Sequence, residues 1–144
     1  QDCDGGDVAR KLVLCASTLG VTLHYDDVQR TPFVRQELLR LSPELFLQSL
    51  KDCDDRAREE LIIARGRNRR LVYVGELEIG QGAAIGRTRL LSVPAASQFG
   101  LLRGTTNCVR ILGPNYSRTL TGEGAGKSPT RDAVYSDLIK AVNS

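Results

Sequence analysis

Gly122-Glu123-Gly124-Ala125-Gly126-Lys127-Ser128-Pro129 sets three glycines on alternate positions directly before a Ser-Pro pair. Residues without a Cβ offer no packing surface, so this stretch cannot form a core. It either turns sharply or lets the backbone come close to something. Ser128 suits a helix N-cap and Pro129 the first helical position. A glycine loop that feeds a helix N-terminus is a geometry for receiving phosphate or another electron-rich group. The chain therefore ends in a segment suited to touch a cofactor. Gly126-Lys127-Ser128 also ends like a phosphate-binding P-loop. That motif needs a glycine five residues before Gly126, where Thr121 stands, and Gly122 falls one residue late. The spacing argues against a nucleotide-hydrolysing loop. The plainer alternative is a loop whose glycines serve only a tight turn.

At the other end, Val8, Leu12, Cys15 and Leu19 recur at i, i+4, i+7 and i+11, an apolar helical stripe. The spacing predicts a helix from Asp7 to Leu19, stopped by Gly20. Asp7 and Lys11 lie four apart and share one face of its first turn. By spacing alone, such a pair reads as an exposed ion pair worth a few tenths of a kcal/mol.

The segment Asp2-Cys3-Asp4-Gly5-Gly6-Asp7-Val8-Ala9-Arg10-Lys11 resembles a signature segment of homoserine dehydrogenases, and its Asp7-Val8-Ala9-Arg10-Lys11 run matches their Asp-Val-Ala-Arg-Lys without a gap. Gly-x-Gly-Ala-Gly-x-x-x-Thr-x-x-x-Val-x-x-Asp-Leu, from Gly122 to Leu138, resembles their C-terminal signature. Between them, Arg70-Leu71-Val72-Tyr73-Val74-Gly75 is similar to the family's Val-Leu-Arg-Tyr-Val-Gly strand. Phe99 to Asn107 is similar to its Pro-Phe-x-x-Leu-x-Gly-x-x-Asn loop, without the proline. The four motifs stand in family order over nearly the whole chain.

The resemblance implies reversible NAD(P)H-dependent reduction of L-aspartate 4-semialdehyde to L-homoserine, in threonine, methionine and isoleucine synthesis. It implies that Lys11 exchanges the proton and that Asp7 binds substrate, with Asp2 lining the site. Gly126 would lie against NADP or NAD, with Gly124 and Gly122 shaping the loop. A monovalent cation would bind upstream. The chemistry is coherent: hydride addition to an aldehyde leaves an alkoxide that needs a proton. A lysine among carboxylates can supply it, and carboxylates suit a substrate ammonium. Lys127 and Arg131 depart from the family pattern, as do Cys3 and Asp4, and the two extra positive charges beside the cofactor loop point either to a phosphorylated cofactor or to a diverged activity.

The resemblance also implies a missing part. No Gly-x-Gly-x-x-Gly follows a predicted strand, and nothing reads as a Rossmann unit. The chain is expected to be the substrate-binding and dimerisation part of a longer enzyme, inactive by itself. Residues 1–121 would form the substrate-binding and dimerisation domain. Residues 122–144 would form a glycine loop and a helix that packs on a nucleotide-binding domain. The apolar side of that helix, Val134, Leu138 and Val142, would then lack its partner here. The other reading is a non-catalytic dimerisation or amino-acid-binding module derived from the family.

At 144 residues the chain is long enough for one domain with a core. Its net charge of +3 is too weak to argue for nucleic acid. The basic run Arg65-Gly66-Arg67-Asn68-Arg69-Arg70 reads as an exposed turn rather than an anion site. The four cysteines form no Cys-x-x-Cys pair and no zinc spacing, so no metal site or disulfide framework is expected. Cys15 reads as a small buried hydrophobe and the lone His24 as structural. No segment is long enough to span a membrane. A cytoplasmic homodimer, or a plastid one in a plant, is the expectation.

The expected fold class is α+β, with a mixed, largely antiparallel sheet and helices packed on one face. After the first helix come a short strand at 21–23 and a helix opened by Ser42-Pro43. A further helix starts at Asp54-Asp55 and stops near Gly66. Strands follow from Leu71 and over Ile85 to Val93, turned by Gly80-Gln81-Gly82. Two more, Asn107 to Leu112 and Arg118 to Thr121, flank Gly113-Pro114-Asn115. A last helix runs from Pro129 to Val142.

Overall fold

The computed structural model describes residues 3–80 and 82–124, apart from the side chains of 52, 53 and 56, together with Tyr135 and Ile139. The chain divides into two units, Gln1–Ala95 and Ala96–Ser144. The fold class is the expected one, α+β with mostly antiparallel strands.

In the first unit, helix α1 covers Gly6–Thr18. It starts from Gly5, which has φ +78, and the Gly6 amide donates to Asp4 Oδ1 at 2.8 Å. It ends as Gly20 predicts. Gly20 takes φ +74, its N–H donates to the Ser17 carbonyl, and the Val21 N–H donates to the Ala16 carbonyl. That is the paired bonding of a glycine-terminated helix.

The buried face of α1 differs from the expected stripe. Ala9, Leu12 and Ala16 are buried, whereas Cys15 is exposed and Leu19 is 64% exposed. At 100° per residue, Ala9, Leu12 and Ala16 share a face from which Cys15 is turned away, and Leu19 lies past the last helical residue, Thr18. The small alanines let the helix lie close to the sheet. At Gly75 the approach is close enough that a Cβ would meet Val8 at 2.7 Å and Leu12 at 3.0 Å.

The expected strand at 21–23 is absent. Leu23 is buried in irregular chain instead, and with Ala9, Leu12, Ala16 and Val28 it forms the core. A short 3-10 turn, Tyr25–Asp27, follows, and then the strand β1, Gln29–Arg30. The two expected central helices are one, α2, Pro43–Gly66. Ser42 caps it as predicted, its Oγ accepting from the Leu45 amide at 3.4 Å. Asp54 and Asp55 lie in mid-helix. No glycine or proline stands between Pro43 and Gly66, so nothing interrupts the backbone hydrogen bonds.

Strands β2, Arg69–Gly80, and β3, Ala83–Pro94, pair antiparallel along their full length, and β1 lies parallel to the other edge of β3. Side chains alternate across a strand, so Leu71, Tyr73, Gly75 and Leu77 share a face. Both α1 and α2 pack on β2. The opposite face carries Val72, Val74, Leu91 and Val93 beside two cross-strand ion pairs. These are Arg89–Glu76 at 2.8 Å and Arg87–Glu78 at 2.9 Å.

The second unit is built on a hairpin of β4, Thr106–Gly113, and β5, Tyr116–Glu123. Strand β5 continues two residues past its expected end at Thr121, which places Gly122 in the strand opposite Asn107 rather than in a loop. The expected terminal helix lies outside the described residues except for Tyr135 and Ile139, which are helical. Val134, Leu138 and Val142 lie outside them as well.

Candidate functional site

The start of α1 brings Asp7 and Lys11 together as their spacing requires. Lys11 Nζ stands 2.8 Å from Asp7 Oδ2, with the two side chains 61% and 50% exposed. The hydrogen bond from Lys11 holds the Asp7 carboxyl below its ordinary value of 3.8; slight burial opposes this, and the charges of Lys11 and Arg10 reinforce it. Asp7 is thus a firm carboxylate with one oxygen committed to Lys11. A carboxylate retains capacity on its second oxygen. The pair faces open space, where a small molecule can reach both groups.

The sequence did not single out what holds this helix start in place. Tyr73, on β2, sends its hydroxyl to the Thr31 carbonyl at 2.6 Å and lies 2.9 Å from Thr88 Oγ1. Thr88, on β3, is only 1% exposed. The Gly5 backbone presses against both hydroxyls. A Cβ there would stand 2.6 Å from Thr88 Oγ1 and closer still to the Tyr73 oxygen. Phe33 meets the Tyr73 ring edge-on at 6.3 Å, and its amide donates to the Cys3 carbonyl at 2.9 Å. A strand, a loop and the pre-helix turn are therefore tied at one point. A signal was present: by strand alternation Ala84, Gly86, Thr88 and Leu90 share a face, and Thr88 is the polar residue among them.

Of the other predicted site residues, Asp2 and Gly126 lie outside the described residues. Gly124 and Gly122 belong to the second unit. The Gly124 N–H donates to the Thr105 carbonyl at 2.9 Å, extending the hairpin by one bond. A Cβ on Gly124 would strike the Asn107 side chain. Gly122 has nothing within 4 Å of where its Cβ would stand. Gly124 thus packs closely on Asn107 although it is exposed, whereas Gly122 leaves the strand open to an approaching group. The lone His24 precedes the 3-10 turn, and its carbonyl accepts from the Asp27 amide at 3.1 Å. Among the described residues, no group of three His, Cys, Asp or Glu is placed to hold a metal ion. No helix among them is long and apolar enough to cross a membrane.

Comparison with known proteins bears on the whole chain. The chain is 27% identical to a bifunctional aspartokinase/homoserine dehydrogenase of Zea mays over 99% of its own length, which is 16% of that protein. It is also 27% identical to a homoserine dehydrogenase of Paracoccidioides brasiliensis, covering 99% of this chain and 39% of that one. The chain thus spans well under half of these relatives. Among solved structures, a Candida auris protein of unknown function matches with a TM-score of 0.77 and 27% identity, over 96% of this chain and 39% of that chain. S. aureus homoserine dehydrogenase shares the fold at 18% identity, with a TM-score of 0.66 over 98% of this chain and 31% of its own. The homoserine dehydrogenase family model matches residues 1–139. With the Asp7–Lys11 pair at the head of α1 and sequence likeness over nearly its full length, the chain belongs to the homoserine dehydrogenase family.

Proposed function

We propose that this chain is the substrate-binding part of an enzyme that interconverts L-aspartate 4-semialdehyde and L-homoserine, a step toward threonine, methionine and isoleucine. The observation that carries the reading is the open Lys11–Asp7 pair, with Nζ 2.8 Å from Oδ2, inside the family's Asp-Val-Ala-Arg-Lys segment. In the reductive direction, the aldehyde carbon gains a hydride and its oxygen becomes an alkoxide. Lys11 Nζ gives that oxygen a proton, and it takes the proton back in the oxidative direction. The Asp7 carboxylate orients the lysine through Oδ2 and offers Oδ1 to the substrate ammonium. Asp2 supports the same group. The Tyr73–Thr88 clamp fixes where α1 begins and so where both groups stand.

A nicotinamide cofactor, NAD or NADP, supplies or accepts the hydride when bound. Gly126 is the position of this chain that would lie against it, with Gly122 and Gly124 shaping the approach. The open space at Gly122 suits this role. Residues 1–121 would serve substrate binding and dimerisation. Residues 122–144 would pack on a nucleotide-binding domain, the monovalent cation would sit upstream, and the present chain alone would not turn over substrate. The maize relative is chloroplastic by name, which supports a plastid placement for a plant protein; for any other source the proposed placement is cytoplasmic.

The test is NAD(P)H-dependent reduction of aspartate 4-semialdehyde by the full-length gene product that carries this chain, beside Lys11→Ala. General acid–base groups contribute about 10²–10⁴-fold, so the variant is expected to lose activity on that scale while still binding cofactor. No turnover by a folded, cofactor-binding parent would sink the reading and leave assembly or amino-acid binding as the role of these motifs.

A further inference from the structure

We propose, on the reading of the Lys11–Asp7 pair given above, that the Tyr73 hydroxyl is a positioning group for that pair, acting through the first turn of α1.

Asp7 is the second residue of α1. It sits in the turn that frays first, because the leading N–H groups of a helix have no partners within it. Only while this turn is helical does Asp7 lie over Lys11, four residues on. A helix start is commonly held by an N-cap side chain. The N-cap here is Gly5, which has none, and Asp4 binds only the Gly6 amide. The first backbone bond of the helix runs from the Ala9 amide to the Gly5 carbonyl at 3.0 Å. That bond therefore depends on whatever holds Gly5 in place.

Gly5 is held from outside the helix. A tyrosine hydroxyl has one proton, and the Thr31 carbonyl, 2.6 Å away, accepts it. The Thr88 hydroxyl at 2.9 Å then donates to the Tyr73 oxygen. The proton order runs from Thr88 to Tyr73 to Thr31, with Gly5 lying against both hydroxyl oxygens. The Thr31 amide returns to the Thr88 carbonyl at 2.9 Å, so both backbone groups of Thr31 are engaged. Two residues later the Phe33 amide donates to the Cys3 carbonyl at 2.9 Å and anchors the other end of the pre-helix turn. One hydroxyl on β2 thus joins β3, the chain after β1 and the seat of Gly5. Tyr73→Phe keeps the ring and its edge contact with Phe33 and removes only that join. The seat of Gly5 then loosens, the first turn opens more often, and Asp7 spends less time on Lys11.

The test uses the full-length gene product that carries this chain, with the Tyr73→Phe and Thr88→Val variants, each checked for folding by circular dichroism. Resonance titration reads the Asp7 carboxyl, whose midpoint Lys11 holds below 3.8. Tyr73→Phe is expected to raise it toward that value. Thr88→Val leaves the Tyr73–Thr31 bond in place and is expected to raise it less. A residue that only adds stability would leave the midpoint of the folded protein where it was. In the same variant, kcat/KM for aspartate 4-semialdehyde is expected to fall about tenfold, at unchanged KM for the nicotinamide cofactor. An unmoved midpoint in folded Tyr73→Phe would overturn the proposal, and a larger shift in Thr88→Val would move the role to Thr88. A parent that turns over no semialdehyde would sink the dehydrogenase reading alone, because the midpoint is read without substrate.

Discussion

Gly5 stands with φ +78 against the hydroxyls of Tyr73 and Thr88, so two independent costs meet at one residue. A side chain there is disfavoured by the left-handed backbone and has no room. Gly5→Ala is expected to destabilise the chain by about 1–3 kcal/mol, measured as a shift in the urea midpoint at unchanged slope. Tyr73→Phe removes the hydroxyl and takes this partner from the buried Thr88 Oγ1, at about 1–2 kcal/mol. The Asp7–Lys11 pair makes a different prediction. With its folded value depressed, Asp7 contributes stability above its unfolded value, and that contribution fades as pH falls through the folded one. Resonance titration should therefore place the Asp7 midpoint below 3.8, and Lys11→Ala should move it upward. An unmoved midpoint would show that Lys11 is not its cause. The pair was legible in the sequence because four-residue spacing on a helix dictates proximity. Tyr73 and Thr88 were not, since their meeting depends on a β2–β3 register that no local pattern encodes.

At the scale of elements, the long hairpin and its turn were legible because apolar strands of matched length flank Gly80-Gln81-Gly82. The helices were read less well, for two separate reasons. In α1, large apolar residues suggested the stripe, yet the buried face is Ala9, Leu12 and Ala16, and the contact with the sheet at Gly75 is made by Val8 and Leu12. In α2, Asp54-Asp55 resembled a helix start, but an acidic pair does not end a helix when no proline, glycine or backbone cap accompanies it. Glycine and capping signals held: Gly20 ends α1 and Ser42 begins α2. Ser42→Ala should accordingly cost about 1 kcal/mol. The Ser42 Oγ–Leu45 N separation is long at 3.4 Å, which favours the low end of that range. Thermal unfolding followed at 222 nm would measure it, and an unchanged midpoint would show that Pro43 alone sets the helix start.

For the whole molecule, the β2–β3 sheet has α1 against its Gly75 face. The opposite face presents Val72, Val74, Leu91 and Val93, each half-buried within the chain itself, with the Glu76–Arg89 and Glu78–Arg87 pairs beside them. An apolar strip edged by ion pairs can meet its own copy about a two-fold axis, and such isologous contacts are the commonest route to dimers. This supports routing the proposed homodimer, which sequence motifs suggested only by resemblance, through the strands. The charges alone contribute little, because exposed pairs are worth about 0–1 kcal/mol; the apolar strip must supply the affinity. Val74→Glu should therefore dissociate the dimer by placing an unpaired carboxylate in the contact, whereas the Glu76→Gln, Arg89→Gln double variant should remain dimeric. Sedimentation of both, beside the parent chain, separates the cases. A dimeric Val74→Glu chain would move the interface off this face, and loss of the dimer in the double variant instead would make the ion pairs, not the valines, the source of association.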